Sequence, residues 1–169
     1  LSRVSVLLAA LLLIPGAARA GAPEELVGLF IQGCMAFAGD APALRDWVRL
    51  TGLPPVPEQA RAAFLRGVPG QVFDGSAAEV RLALVSADDG TCSAVAEQAM
   101  QPAVADAMEA GFRQAGLTFS LVVERDDTVL SAIHDREYLV SKGKRRWQVL
   151  VTTVNGVKGG EAMLTAAPR

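Results

Sequence analysis

Apolar side chains recur every three or four residues through the first third of the chain. Over residues 24–38, Leu26, Phe30, Cys34 and Phe37 form one stripe that Val27, Ile31 and Met35 widen, as on an amphipathic helix. Pro23, Glu24 and Glu25 suit its first turn, and Gly39 with Asp40 ends it. Asp40 then caps a second helix over residues 42–50, with Leu44, Trp47 and Val48 on its inner face and Gly52 as its stop. Pro54, Pro55 and Pro57 stiffen a connector. A short third helix over residues 58–65 is expected to turn Ala60, Ala63 and Phe64 inward. Turns follow at residues 67–70 and at Gly75 and Ser76, and Phe73 between them is expected to pin that loop to the core.

The period then changes to two. Val80, Leu82 and Leu84 alternate with Arg81, Ala83 and Val85, as a strand requires. Asp88, Asp89 and Gly90 make a turn, and residues 91–96 return as a short strand, although a helix start competes there. Pro102 opens a helix reaching Ala115, with Val104, Met108 and Phe112 on its apolar face and Gly116 at its end. Next, Leu117, Phe119, Leu121 and Val123 alternate, and Asp126 with Asp127 turns the chain. Residues 128–134 read as extended, and residues 136–140 continue them after a bulge. A polar hairpin loop at residues 141–144 precedes a strand over residues 147–154, with Trp147, Val149 and Val151 on one face. Asn155-Gly156 signals another hairpin, residues 161–166 read as an edge strand, and the last three residues as a frayed tail. The order α-α-α-β-β-α-β-β-β, with room for one more strand, predicts an α+β fold. N-terminal helices pack on a mainly antiparallel sheet. No linker or repeat divides residues 21–169, which are expected to be one domain.

The first 20 residues stand apart. Arg3 is a short positive start, residues 4–14 are apolar apart from Ser5, and Pro15 and Gly16 break the run before Ala18-Arg19-Ala20. This is the layout of a cleaved signal peptide. The apolar run is shorter than the roughly 20 residues of a membrane span, and no cysteine follows it to take a lipid. Export to the periplasm or beyond is therefore expected, without stable membrane insertion. The whole chain carries 16 basic and 18 acidic side chains. Losing Arg3 and Arg19 leaves 14 basic against the same 18 acidic, a formal charge of -4. That balance argues against a nucleic-acid partner. Cys34 and Cys92 are the two cysteines. An even count in an exported chain favours a disulfide over two separate buried thiols.

Several short marks accompany the cysteine-bearing first helix: Gly39-Asp40, Leu44-Arg45-Asp46-Trp47, Gly52-Leu53-Pro54-Pro55, Phe64-Leu65, Gly67, Pro69-Gly70, Leu84-Val85-Ser86, Asp88-Asp89-Gly90 and Cys92-Ser93. Together they resemble a family of exported proteobacterial proteins of unknown function, over residues 30–96. The resemblance implies export and a paired Cys34 and Cys92. It brings no activity and no site residues.

Candidate chemistry is sparse. His134 is the only histidine and precedes Asp135, but neighbours on a strand face opposite sides. A catalytic role for it needs a partner from elsewhere, and the plainer reading is a solvent-facing histidine at a strand end. One histidine and two paired cysteines leave too few ligands for zinc, and the aspartate pairs lack calcium-loop spacing. No cofactor or metal is expected. No serine lies in a nucleophile elbow, and the glycines near residue 159 lack a phosphate-loop pattern. Lys142, Lys144, Arg145 and Arg146 form the one concentrated charge feature, with Trp147 beside them. They read either as a solvated tip that protects a sheet edge or as a contact for an acidic surface or polymer. Trp147 would anchor that contact or else belong to the core. The expected function is a non-catalytic periplasmic binding or accessory protein acting by contact with another envelope protein. The alternatives are an envelope enzyme assembled around His134, and an inhibitor or immunity-type protein directed at a cell-wall-active enzyme.

Overall fold

Proline and two carboxylates in the first turn start helix α1 (Ala22–Leu29). The structure is a computed structural model and describes residues 21–77, 79–127, 132–156 and 159–169. The proposed signal peptide, residue 78, the extended segment expected at residues 128–131 and residues 157–158 lie outside the described residues. Helix α1 runs on into a π-helical stretch, Phe30–Met35. Four residues on an α-helix advance about 400°, so a strict four-residue stripe drifts around the axis. The wider π turn absorbs that drift. Leu26, Phe30, Cys34 and Ala38 therefore all stay buried.

Helix α2 (Ala41–Thr51) is capped by Asp40, whose carboxylate accepts the Ala43 amide at 3.0 Å, and it ends at Gly52 with φ of 74°. Helix α3 (Glu58–Leu65) buries no residue completely. Ala63, expected to face inward, is exposed, while Ala60 and Phe64 are half-buried.

The strands are β1 (Gly70–Asp74), β2 (Leu82–Ala87), β3 (Cys92–Glu97), β4 (Thr118–Asp126), β5 (Ile133–Lys142), β6 (Arg145–Val154) and β7 (Glu161–Pro168), with α4 (Ala103–Gln114) after β3. They form one sheet in the order β1-β2-β3-β7-β6-β5-β4. Every neighbouring pair is antiparallel. The helices-on-antiparallel-sheet class is as expected, and the competition at residues 91–96 resolves as strand. Four details differ. Strand β1 replaces the loop expected around Phe73. It lacks alternation because both its faces are covered, so adjacent Val72 and Phe73 are both buried. Strand β7 is not an edge: it pairs with β3 and β6 in the middle of the sheet. Its expected frayed tail is paired too, since Pro168 opposes Trp147 and the Arg169 amide donates to Arg146 O at 3.1 Å. The bulge lies on β4, between Leu121 and Val123, and β5 is continuous across residues 133–142.

Helices α1, α2 and α4 lie over one face of the sheet. Its middle carries small inward residues, Ala94, Ala96, Ala162 and Ala166, all buried, so the helices approach closely. Gly111 of α4 serves the same end, since a Cβ there would sit 2.6 Å from Val27 Cγ1. Val104, Met108 and Phe112 fill the core from α4 as expected. Cys34 and Cys92 are joined, with Cα atoms 5.1 Å apart. The bridge ties the π-helical stretch to the start of β3. Helix α3 lies on the opposite face, over β1 and β2, where Leu65 crowds the Cα side of Gly70.

Candidate functional site

His134 sits on β5 opposite Asp126 of β4. Its Nδ1 is hydrogen-bonded to Asp126 Oδ1 at 2.5 Å, while its Nε2 lies 3.2 Å from Glu124 Oε1 but is buried without a hydrogen-bond partner among the described residues. The side chain is only 15% exposed, so it is not the solvent-facing histidine expected. Asp135 points to the other face, accepting from Arg125 Nε at 3.3 Å and Thr152 Oγ1 at 2.6 Å. Strand alternation thus separates the sequence neighbours, and His134 draws its partners from across the ladder. Both partners are carboxylates. Thr153, the hydroxyl residue opposite it on β6, spends its hydrogen bond on the His134 carbonyl at 3.4 Å. Among the described residues, no hydroxyl or thiol is hydrogen-bonded to the imidazole.

The same face of β5 continues the polar seam. Arg136 donates from Nε to Glu124 Oε1 at 2.8 Å, and Tyr138 donates to Glu109 Oε1 of α4 at 3.3 Å. Burial pushes the Tyr138 phenol above its ordinary pKa, against the opposing pull of Arg136. Burial works to lower the Arg136 value, but hydrogen bonds to Tyr138 and Glu124 outweigh it and hold the pKa above normal. Glu109 also pairs with Arg113 at 2.9 Å. The seam ties α4, β4 and β5 together.

The basic residues of the β5–β6 hairpin do not form one patch. Lys142 Nζ donates to Ala115 O at the end of α4, at 2.8 Å. Arg145 Nη2 donates to Ala36 O just after the π-helical stretch, at 2.9 Å, and its guanidinium lies 5.1 Å above the Trp147 ring. Carbonyls at helix C-termini lack intrahelical partners and carry partial negative charge, so both cations answer a helix-end need. Trp147 is buried and packs in the core. Lys144 stands exposed at the tip, and Arg146 points to the opposite side of the sheet from Trp147.

That opposite side is the feature sequence reasoning missed. Helix α3 reaches β1 and β2, and over the remaining strands Val95, Leu139, Leu150 and Met163 are half-buried. The two sheet edges also differ. Residues 54–56 cover the edge of β1, with Val56 N donating to Val72 O and Asp74 N to Pro54 O. Strand β4 has a free edge among the described residues. It exposes Leu121 (41%), Val122 (46%) and Val123 (37%). The sequence signal was three consecutive apolar residues, which leave no solvent-facing polar position on a half-covered strand.

Among the described residues, no group of three or more His, Cys, Asp or Glu side chains converges as metal ligands. No helix among them is long and apolar enough to cross a membrane. No family model, curated protein or solved structure matches the chain.

Proposed function

We propose that this chain is a non-catalytic protein-binding module of the bacterial envelope, reached by export through residues 1–20. It holds its partner on the β4 edge and the adjoining uncovered sheet face. The observation that carries this reading is the contrast between the two edges: residues 54–56 cover β1, whereas β4 presents backbone hydrogen-bonding groups beside exposed Leu121, Val122 and Val123. Such an edge is a template for an added strand, and contiguous exposed apolar residues mark contact surfaces. An inhibitor or immunity-type role would be one case of the same contact. In the test, the mature chain and a Leu121→Asp/Val123→Asp variant are immobilised and exposed to envelope extract. Capture of a partner by the first and its loss by the second, with unchanged far-UV circular dichroism, is the expected result. Equal capture by both chains, or none by either, refutes the reading.

A further inference from the structure

At one end of the uncovered face, a groove of about 630 Å³ is lined by Thr118, Ser120, Ser141, Arg146 and Arg169 over an apolar floor that includes Leu139. Thr118 opposes Ser141, Ser141 opposes Arg146, and the Arg169 amide bonds the Arg146 carbonyl. Hydroxyls and guanidinium groups therefore follow one another in a single row across the sheet. No Asp or Glu side chain lines the groove.

Five described arginines, Arg66, Arg81, Arg145, Arg146 and Arg169, form no ion pair, and of these only Arg146 and Arg169 line this groove. Arg45, Arg49, Arg61, Arg113, Arg125 and Arg136 each pair with a carboxylate. Among the described residues, Arg146 and Arg169 have no carboxylate within ion-pair distance. They are exposed, in a chain with more acidic than basic side chains. The other end of the same face is acidic: a second groove there is lined by Asp74, Glu79, Glu97 and Glu161, with Arg81 as its basic residue. This side of the sheet thus runs from a negative groove beside α3 to the positive groove at the β5–β6 hairpin end. A partner is drawn to one end and repelled from the other, which sets its orientation.

We infer that this groove receives an acidic, extended segment of the protein partner, with carboxylates reaching Arg146 and Arg169. The inference rests on the protein-binding reading above. Neighbouring strands lie about 4.8 Å apart, and alternate residues of an extended chain lie about 6.7 Å apart on one side. Alternate carboxylates of an extended segment therefore match flexible guanidinium groups on adjacent rungs, while its other side chains meet Leu139 and the hydroxyls. A compact phosphate site would gather its donors around one point, whereas this row spreads them over several strands.

The test is fluorescence anisotropy with a labelled short peptide of alternating threonine and glutamate. The mature chain is expected to bind it, less tightly as salt rises, and to ignore the same peptide with glutamine in place of glutamate. Arg146→Glu combined with Arg169→Glu should weaken binding by about tenfold or more. Lys144→Glu, which makes the same charge change as Arg146→Glu at the hairpin tip, should leave affinity near that of the parent. Thermal melts of all variants exclude misfolding. No binding of the glutamate peptide, equal loss from Lys144→Glu, or displacement by inorganic phosphate or phosphatidylglycerol vesicles with the same arginine dependence overturns the inference. If the arginine variants keep a captured partner that the β4-edge variant loses, this inference fails and the protein-binding reading stands.

Discussion

Removing the Cys34–Cys92 bridge tests how the helical layer is held to the sheet. The bridge closes a loop with a sequence separation of 58. The chain-entropy relation values a cross-link of that size at about 4 kcal/mol, through the freedom it denies the unfolded chain. Against this stands the docking of the first helix by packing alone. Leu26, Phe30 and Met35 are buried, and each contributes about 1.5–3 kcal/mol. Their sum of roughly 5–9 kcal/mol exceeds the cross-link term. A Cys34→Ala/Cys92→Ala variant should therefore keep its helices on the sheet and unfold as one unit at lower stability. With a urea dependence of about 2 kcal/mol per molar, the midpoint should fall by about 2 M. Circular dichroism follows the helices, while fluorescence follows Trp47 on α2 and Trp147 on β6. The two transitions should coincide. A midpoint shift below about 0.5 M, or helix signal lost well before fluorescence, would refute the reasoning.

Two further outcomes follow from the polar contacts. Tyr138 is the only tyrosine and burial raises its pKa, so its stabilising contribution is complete below about pH 10 and is lost as pH rises through the folded-state value. An absorbance titration should place phenolate formation later in the folded than in the urea-unfolded chain, and identical midpoints would contradict the burial argument. Lys142→Ala and Arg145→Ala should each cost about 0.5–1 kcal/mol through lost contacts at helix ends, whereas Lys144→Ala should change stability by less than about 0.5 kcal/mol. Urea denaturation distinguishes these, and equal effects at all three positions would return the hairpin to a plain solvated tip.

Local pattern was enough for the elements whose two faces meet different surroundings. The stripe of Leu26, Phe30 and Cys34, the Asp40 cap and the apolar face of α4 all read correctly, because one side of each helix meets the core and the other meets water. Trp147, Val149 and Val151 read correctly on β6 for the same reason. The pairing of the cysteines was legible from their even number and the expectation of export, while the geometry that brings them together was not.

Tertiary structure decided where the local pattern is symmetric or silent. Strand β1 has both faces covered, so Val72 and Phe73 show no alternation to read. Strand β7 looked like an edge because strand order depends on contacts distant in sequence, here with β3 some 70 residues earlier in the chain. His134 found its carboxylates across the ladder on β4, and its sequence neighbour Asp135 turned away, since pairing register and not adjacency sets proximity in a sheet. The basic cluster divided for a related reason. Four cations close in sequence sit on a hairpin whose alternation sends Lys142 and Arg145 to helix ends and Arg146 to the opposite face. Which edge stays bare depends on where residues 54–56 come to rest, a long-range placement that no local run of residues encodes.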